Sequence, residues 1–478
     1  MELQTCEFPV ELSEHQARGF VDNYFSAIDL GHQSRDACFS RVAEQISRHP
    51  GGTLPDKFAS PAGYAAMDRL MNRNETTHAR ILAPHFRKTR EKMEACDGLV
   101  LILHDSTVLD YSGLRMAKLP KAGNGNGRGY LCHNSLAVDA DRREVLGLVS
   151  QILHSRTPRR KKESAADKRR RASRESRLWS QAVETLPMPL AGKRYIDIAD
   201  RGADIFEFLY NEDRLERDCV VRSTHNRRVR IGHDGEGKRV LLHNHLRTLS
   251  AVGKPRTKEI CDSNTKVKRQ AVLRVAHAAV EILPPQVRKG EYENKPIKAW
   301  AVRVWEEEPP KGSAAVEWFL LALQPITNGA EAWQACDCYC RRWIVEEFHK
   351  AKKTGCQIED MQFHTQEALQ PMIALLSVMA VLLLNLREAA RRPDAATRPA
   401  TGVVEPIYEE VIRTWRYKRP HEPFSVLEFY MAVARLGGHM NRKRDGFPGW
   451  LTLWRGWQKL QIMIQAVEAE RRSRRKIV

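Results

Sequence analysis

One apolar run in the first quarter of the chain limits the fold more than any other stretch. Residues 99–103 read Leu-Val-Leu-Ile-Leu, which is typical of a strand covered on both faces. This predicted strand ends in His104 and Asp105. A second strand is predicted from the alternation at 195–199, and Asp200 follows it. The two strands predict a mixed α/β fold in which a carboxylate stands at the end of each.

A third carboxylate falls within residues 339–353, a stretch without glycine or proline that predicts one uninterrupted helix. At about 3.6 residues per turn, one stripe of this helix carries four functional groups. They are Tyr339, Arg342, Glu346 and Lys353. An acid beside an aromatic ring and two cations suits phosphate chemistry, because the acid can hold a metal ion while the cations contact a DNA backbone. Ordinary ion pairs on a solvated helix are the alternative interpretation.

The charge of the chain favours a polyanionic partner. Its 478 residues include 78 lysines and arginines against 59 acids, a formal charge of +19 with a pI near 9.6. Such a charge favours nucleic acid, because each phosphate contact releases condensed counterions. An anionic membrane surface is the competing partner, but the sequence has neither a lipidation motif nor a basic amphipathic helix with large exposed apolar residues.

Three further features predict a cytoplasmic protein without a membrane span or a zinc site. The longest apolar run, at 373–386, is interrupted by two polar residues and predicts a buried helix. The first residues, Met-Glu-Leu-Gln, do not resemble a secretory signal, and ten cysteines without paired spacing suit a reducing compartment. Cys336, Cys338 and Cys340 alternate, so they cannot all converge on one zinc ion in a helix, although Cys336 and Cys340 could share a face.

Other segments predict helical ends and a β-rich centre. Helices are predicted at 13–28, 39–46 and 205–210, the last with Asp204 as its cap, and strands at 136–138, 145–149, 271–275, 279–283 and 299–304. A charge-rich stretch at 156–177 is either a solvated loop or a DNA contact. Apolar residues spaced from Trp450 to Val467 predict a C-terminal helix.

Several of these segments resemble one known family. The spacing of tyrosine, arginine, glutamate and lysine at 339–353 is a signature of that family, and residues 200–204, Asp-Arg-Gly-Ala-Asp, are similar to its Asp-Arg-Glu-Ala-Asp motif except at Gly202. Matches to the family continue at 220–223, Trp318 and 450–457. On these motifs the chain resembles the insertion-sequence-four family of bacterial DDE transposases.

The resemblance implies a ribonuclease-H-like catalytic core with an inserted β-subdomain, flanked by helical domains. The implied boundaries are 1–85 for recognition of DNA ends, 86–390 for the catalytic domain with its insertion at about 226–315, and 391–478 for dimerisation. The apolar stripe of the C-terminal helix is then interpreted as a dimer interface in preference to an internal core. The N-terminal match is partial, because Cys38 stands where a basic residue is expected.

The resemblance also assigns the site. Asp105, Asp200 and Glu346 are the implied catalytic residues, and their oxygens would hold two Mg²⁺ ions, for which Mn²⁺ could substitute. The implied DNA-binding residues are Tyr339, Arg342, Lys353, Trp318, Arg222, His349, Lys350 and Arg69. Trp318 would line a pocket for a flipped base, although a core tryptophan would give the same sequence.

The reaction implied by the resemblance is cut-and-paste transposition. Hydrolysis at a transposon end frees a 3′-hydroxyl, a hairpin forms and opens, and the 3′-end joins target DNA. The expected partners are double-stranded DNA, as inverted-repeat ends and target, and a second copy of the chain in a synaptic homodimer, without a membrane. The expected location is the bacterial cytoplasm, associated with the nucleoid. A non-catalytic DNA-binding regulator and a metal-dependent nuclease that cuts without joining are the alternatives.

Overall fold

The structure is a computed structural model that describes most of the chain. The described residues are 21, 24–48, 53–58, 60–113, 119–122, 127–156, 164, 167, 171, 173–262, 267–285, 295–404, 406–417, 424–442 and 445–475. The predicted helix at 13–28 and the charge-rich stretch at 156–177 lie largely outside these residues, so both stay predictions.

One eleven-stranded sheet runs through the described part of the chain. Its strands are β1 (Val100–Asp110), β2 (Gly129–Asp139), β3 (Val145–His154), β4 (Tyr195–Ala199), β5 (Asp218–Arg222), β6 (Arg228–Ile231), β7 (Arg239–Leu241), β8 (Arg256–Cys261), β9 (Lys268–Ile282), β10 (Ile297–Glu306) and β11 (Glu317–Ala322). Their order is β3-β2-β1-β4-β5-β11-β10-β9-β6-β7, and β8 pairs with β9. The β1–β4 and β4–β5 pairs are parallel and the other pairs are antiparallel. The predicted mixed α/β class is confirmed.

Helices cover the sheet and form both ends of the described chain. They are α1 (Gln33–Arg48), α2 (Pro61–Met71), α3 (His78–Ala95), α4 (Arg177–Glu184), α5 (Phe206–Arg214), α6 (Leu242–Thr248), α7 (Gly329–Cys340), α8 (Trp343–Lys350), α9 (Gln366–Ala389), α10 (Pro406–Tyr417), α11 (Val426–Leu436) and α12 (Trp450–Arg475). The helix predicted at 39–46 is confirmed as part of α1. Several helices begin at a capping side chain, for example Asn328, which accepts the Glu331 N–H at the start of α7.

Strand β1 separates two halves of the core, as its sequence predicts. Leu101 and Leu103 pack in one apolar cluster, and Val100 and Ile102 pack in the cluster on the opposite face. The strand is longer than predicted, because its second half pairs antiparallel with β2 as far as Asp110. The prediction that Asp105 follows the strand is therefore wrong, since Asp105 lies inside β1.

The β-rich stretch at 226–315 continues the same sheet. Strand β5 pairs with β11, and the pairing continues through β10 and β9 to β6. The two strands predicted at 271–275 and 279–283 are in fact one strand, β9. The intervening Ala276-His277-Ala278 contains no turn-forming residue, and β10 pairs with β9 without a break from Leu273 to Ile282.

The apolar run at 373–386 is the centre of α9, which packs on α3 and β3. By length and composition α9 is the one described helix that could cross a membrane, with a mean hydropathy of 2.1 over its most apolar window. However, 94% of that window is buried inside the protein. The predicted buried helix is confirmed, and α9 is a core element of this fold.

The C-terminal helices pack on each other, and α12 also packs on residues Ala351–Gly355. Trp457 of α12 stacks on Tyr408 of α10 at 5.4 Å between ring centroids and contacts Phe429 of α11 edge-on. The apolar stripe of α12 is buried from Trp450 to Ile464 within the chain itself. The interpretation of this stripe as a dimer interface is therefore wrong, and dimerisation stays a prediction that needs another surface.

The crossing of α11 and α12 depends on two glycines. A Cβ atom on Gly456 would lie 1.8 Å from the carbonyl oxygen of Val433, and one on Gly437 would lie 1.8 Å from that of Thr452. Both neighbours are backbone atoms, so neither clash can be relieved by a rotamer change. The two backbones can approach this closely only because both side chains are absent.

We expect Gly456→Ala to lower the free energy of unfolding by at least about 2 kcal/mol, because overpacking against backbone outweighs the gain of about 1 kcal/mol in helix propensity. Gly402→Ala is the matched control, because a Cβ atom there meets nothing within 4 Å. Urea unfolding followed by tryptophan fluorescence measures both variants. Equal midpoints for the two would show that the crossing is not tightly packed.

Candidate active site

Parallel pairing places two of the predicted catalytic carboxylates side by side. Leu103 of β1 lies opposite Ile198 of β4, and the same register continued by two residues sets Asp105 beside Asp200. Asp200 follows β4 directly, as predicted, and its Oδ1 accepts the Gly202 N–H at 2.7 Å. This hydrogen bond fixes Asp200 at the start of a short 3₁₀ turn.

The third carboxylate comes from helix α8, but the predicted uninterrupted helix is wrong. Helix α7 ends at Cys340, and α8 begins at Trp343. Between them the N–H groups of Arg341 and Arg342 donate to carbonyls three residues back, where an α-helix would use four. A π-turn at Ala351–Gly355 then follows α8. The simple stripe through 339–353 therefore does not exist, although its first three members stay together.

Arg342 joins two of the acids. Its Nη1 lies 3.3 Å from Oδ2 of Asp105, and its Nη2 lies 2.5 Å from Oε1 of Glu346. The guanidinium is largely buried and its Nε has no hydrogen-bond partner. One cation thus compensates two carboxylates that would otherwise repel each other.

Asp105 has a strongly perturbed carboxyl group. Burial raises its pKa from 3.8 to about 7, against the lowering effect of Arg342, and the nearby charges of Asp200 and Glu346 raise it further. The three acids are therefore close enough to act on one another electrostatically. A buried carboxyl group with a strongly raised pKa beside other acids is typical of a functional site.

Aromatic and basic side chains line one side of the carboxylates. Trp318 of β11 meets the ring of Tyr339 edge-on at 5.9 Å, and the guanidinium of Arg222 lies 5.4 Å from the Trp318 ring. Arg342 contacts the rings of both Tyr339 and Trp343. Tyr339 is buried, whereas 59% of Trp343 is exposed beside the acids. The exposed indole is an aromatic surface on which an unpaired base could stack.

The remaining predicted DNA-binding residues are more dispersed. Lys353 pairs with Glu359 at 2.9 Å, and Lys350 is exposed and pairs with Glu347. Arg69 is exposed in the last turn of α2. His349, in contrast, is buried behind Asp105, with its Nδ1 3.9 Å from Oδ2 of that residue. DNA binding by these residues stays a prediction.

The predicted cap role of Asp204 is wrong. The residue at the cap of α5 is Ile205, which makes no side-chain cap bond. The Asp204 carboxylate instead accepts the N–H groups of Thr224 at 2.6 Å and His225 at 2.8 Å, and it pairs with Arg227. Asp204 therefore ties the turn after β4 to the turn after β5, which supports the backbone that carries Asp200.

Sequence reasoning missed a group of buried polar residues behind the carboxylates. Asn134 of β2 is the cross-strand partner of Asp105, and it contacts both His349 and the fully buried Lys352. Lys352 stands in a basic run and looks solvated in sequence. Only the register of β1 on β2 could have identified Asn134.

A second missed link joins α8 to the C-terminal region. The Glu347 carboxylate accepts the indole N–H of Trp450 in α12 and pairs with Arg387 of α9 at 2.6 Å. The site helix is therefore anchored by residues about forty to one hundred positions further along the chain. Glu346 and Glu347 are adjacent acids that look alike in the sequence. No local pattern shows that Glu346 faces the site and Glu347 faces the core.

The donor chemistry of the three acids fits a hard divalent cation. Carboxylate oxygens are the ligands that Mg²⁺ and Mn²⁺ prefer. Within the described ranges, no three His, Cys, Asp or Glu side chains lie close enough together to form a ready-made metal site. Arg342 stands between Asp105 and Glu346, so a cation shared by these two acids requires the guanidinium to move.

The residues of the site together indicate a class of chemistry. Two strand carboxylates, one helix carboxylate, a bridging arginine and an aromatic wall suit chemistry on a phosphodiester. Comparison of the chain with protein-family models finds no family that matches. The functional assignment therefore depends on the geometry of these residues and on the sequence motifs.

The raised pKa of Asp105 gives a stability prediction. A carboxyl group with a raised pKa binds protons more readily in the folded than in the unfolded state, so stability falls as the pH rises from about 4 to about 7. In EDTA at pH 8, we expect Asp105→Asn to be more stable than the wild type by on the order of 1–4 kcal/mol, since one pKa unit corresponds to about 1.4 kcal/mol. The gain is expected to shrink as the pH is lowered towards 4.

Thermal unfolding at a series of pH values measures this difference. Asp110→Asn is the matched control on the same strand, because hydrogen bonds from Ser112 lower the pKa of Asp110. No gain is expected from the control at pH 8. A loss of stability in Asp105→Asn at pH 8 would contradict the electrostatic description of the site.

Proposed function

We propose that this protein is a cut-and-paste DNA transposase of the insertion-sequence-four type with a ribonuclease-H-like core. The single observation that carries the proposal is that Arg342 joins Asp105 to Glu346, while the parallel register of β1 on β4 sets Asp200 beside Asp105. These residues are 95 and 146 positions apart in the chain, yet they act on one another electrostatically. The order β3-β2-β1-β4-β5, antiparallel and then parallel, supports the proposed core because that fold uses the same arrangement.

The acids would hold the divalent cations. When bound, Mg²⁺ would stabilise the charge that develops on the attacking and leaving oxygens of phosphoryl transfer. Asp105 and Asp200 are fixed by the sheet, so they provide the rigid part of the site. Glu346 is carried by a short helix, which is anchored through Glu347 to Trp450 and Arg387.

The remaining residues of the site would bind and distort DNA. Once released from the acids, the Arg342 guanidinium could pair with a phosphate in a bidentate manner. Trp318, held by Tyr339 and Arg222, and the exposed Trp343 would stack on a displaced base, which costs little energy at a nicked or distorted end. The formal charge of +19 would attract both transposon ends and target DNA. Pairing of two ends would require a homodimer.

The test uses purified protein and linear DNA that carries its own coding sequence with native flanks. With Mg²⁺, we expect cuts at inverted repeats followed by joined products, and neither product with EDTA. Glu346→Gln should reduce cleavage by at least about 100-fold while DNA binding persists, because the substitution keeps the shape but removes a ligand charge. Sequencing of every new end and junction provides the readout.

Glu91→Gln is the control, since Glu91 is an exposed acid of α3 paired with Lys88. It should cut and join like the wild type. Cleavage by Glu346→Gln at the wild-type level would show that Glu346 is not a metal ligand. Metal-dependent cuts without joined products would indicate a nuclease, and binding without cleavage in the wild type would indicate a regulator.

A further inference from the structure

The buried polar residues behind Asp105 determine the protonation pattern of His349. Asn134 is the cross-strand partner of Asp105, and the oxygen and nitrogen of its side-chain amide contact different residues. Its Oδ1 accepts from Lys352 Nζ at 3.1 Å and from Gln151 Nε2 at 2.7 Å. Its Nδ2 donates to the carbonyl oxygen of Cys132 at 3.2 Å and lies 3.2 Å from His349 Nε2.

Two of these neighbours allow only one orientation of the amide. An ammonium group such as that of Lys352 can only donate, and the backbone carbonyl of Cys132 can only accept. The oxygen of Asn134 must therefore face Lys352, and its nitrogen must face Cys132 and His349. Because Nδ2 is a donor, Nε2 of His349 must accept. In a neutral imidazole the proton is then on Nδ1.

The protonated nitrogen faces the candidate catalytic acid. Nδ1 of His349 lies 3.9 Å from Oδ2 of Asp105, which is longer than a hydrogen bond. The other oxygen of Asp105, Oδ1, accepts the Ser106 N–H at 2.8 Å. Oδ2 accepts from Arg342 Nη1 at 3.3 Å, so each carboxylate oxygen has a donor, and Nδ1 of His349 lies beside Oδ2.

We propose that Lys352, Asn134 and His349 form a relay that orients the carboxylate of Asp105. Lys352 fixes the amide of Asn134, the amide fixes the tautomer of His349, and the Nδ1–H group is directed at Oδ2. In this proposal His349 is a positioning residue, whereas the sequence predicts a DNA contact for it. The catalytic consequence of the relay rests on the proposed function, whereas the tautomer does not.

The location of Lys352 supports a specific role. The residue is fully buried, and the contacts of its ammonium group are Asn134, the thiol of Cys132 and the ring of Phe348. None of these three is a carboxylate. Burial of an ammonium group without an acid is costly, and Oδ1 of Asn134 is the one oxygen acceptor among these three contacts, so Lys352 and the Asn134 amide depend on each other.

The first test is nuclear magnetic resonance of metal-free protein labelled with ¹⁵N-histidine. The His349 signals are identified by their absence from His349→Gln, and their shifts report which ring nitrogen carries the proton. We expect the Nδ1–H tautomer in the wild type. In Asn134→Asp the new carboxylate accepts from Nε2, so the proton should move to Nε2 or both nitrogens should be protonated.

The second test is the Mg²⁺ concentration that gives half-maximal DNA cleavage. Substitutions behind a metal ligand typically weaken metal affinity or activity by about 10- to 100-fold. We expect a rise within this range in Asn134→Asp, with KM for DNA unchanged. Asn211→Asp, the same chemical change in α5, should leave both readouts at the wild-type values. If Asn134→Asp does not fold, Asn134→Leu removes the donor to Nε2 and should leave a mixture of tautomers.

The two tests separate the possible failures. An Nε2–H tautomer in the wild type would overturn the relay whatever the activity. A changed tautomer with an unchanged Mg²⁺ requirement would overturn its action on Asp105. Absence of cleavage by the wild type would count against the proposed function, while the tautomer measurement would still decide the hydrogen-bond relay.

Discussion

The parallel pairing of β1 with β4 is the constraint on which the site depends. It sets Asp105 beside Asp200 through the register of two backbones, so no side-chain packing has to be adjusted to bring these acids together. The two apolar clusters on opposite faces of the sheet bury β1, and burial is the main cause of the raised pKa of Asp105. Stability and function therefore oppose each other at this strand, because the element that organises the sheet also holds a carboxylate away from water.

Much of the fold could be predicted from local patterns. An apolar run predicted β1, because a strand covered on both faces needs uninterrupted hydrophobic residues. Alternation predicted β4, and a second apolar run predicted the buried helix α9. The predictions were wrong where contacts with residues distant in the sequence determine the local structure. Strand β1 extends past Asp105 because β2 pairs with it, and Asp204 binds the turn after β5 because that turn lies beside it in space.

Part of the candidate site could also be predicted from the sequence. Motif spacing identified the three acids and Arg342, but it could not reveal the break between α7 and α8 or the pairing of Lys353 with Glu359. Lys352 and Asn134 were not predictable at all. A lysine in a basic run and an asparagine in a strand have no local signal of burial, and their contact joins residues 218 positions apart. The apolar stripe of α12 was identified correctly, yet only packing could show that the chain itself covers it.

Under the proposed function, Arg342 would make the binding of metal and of nucleic acid interdependent. Its guanidinium is shared by Asp105 and Glu346, so it is withheld from any phosphate while that contact lasts. A divalent cation that neutralises the two acids would free the arginine, and a phosphate that attracts the arginine would free the acids. Binding free energies are reciprocal, so each ligand must increase the affinity for the other by the same factor. Arg342 alone would then make metal and nucleic acid bind with positive cooperativity. In the absence of DNA, its guanidinium would keep both carboxylates paired with a cation.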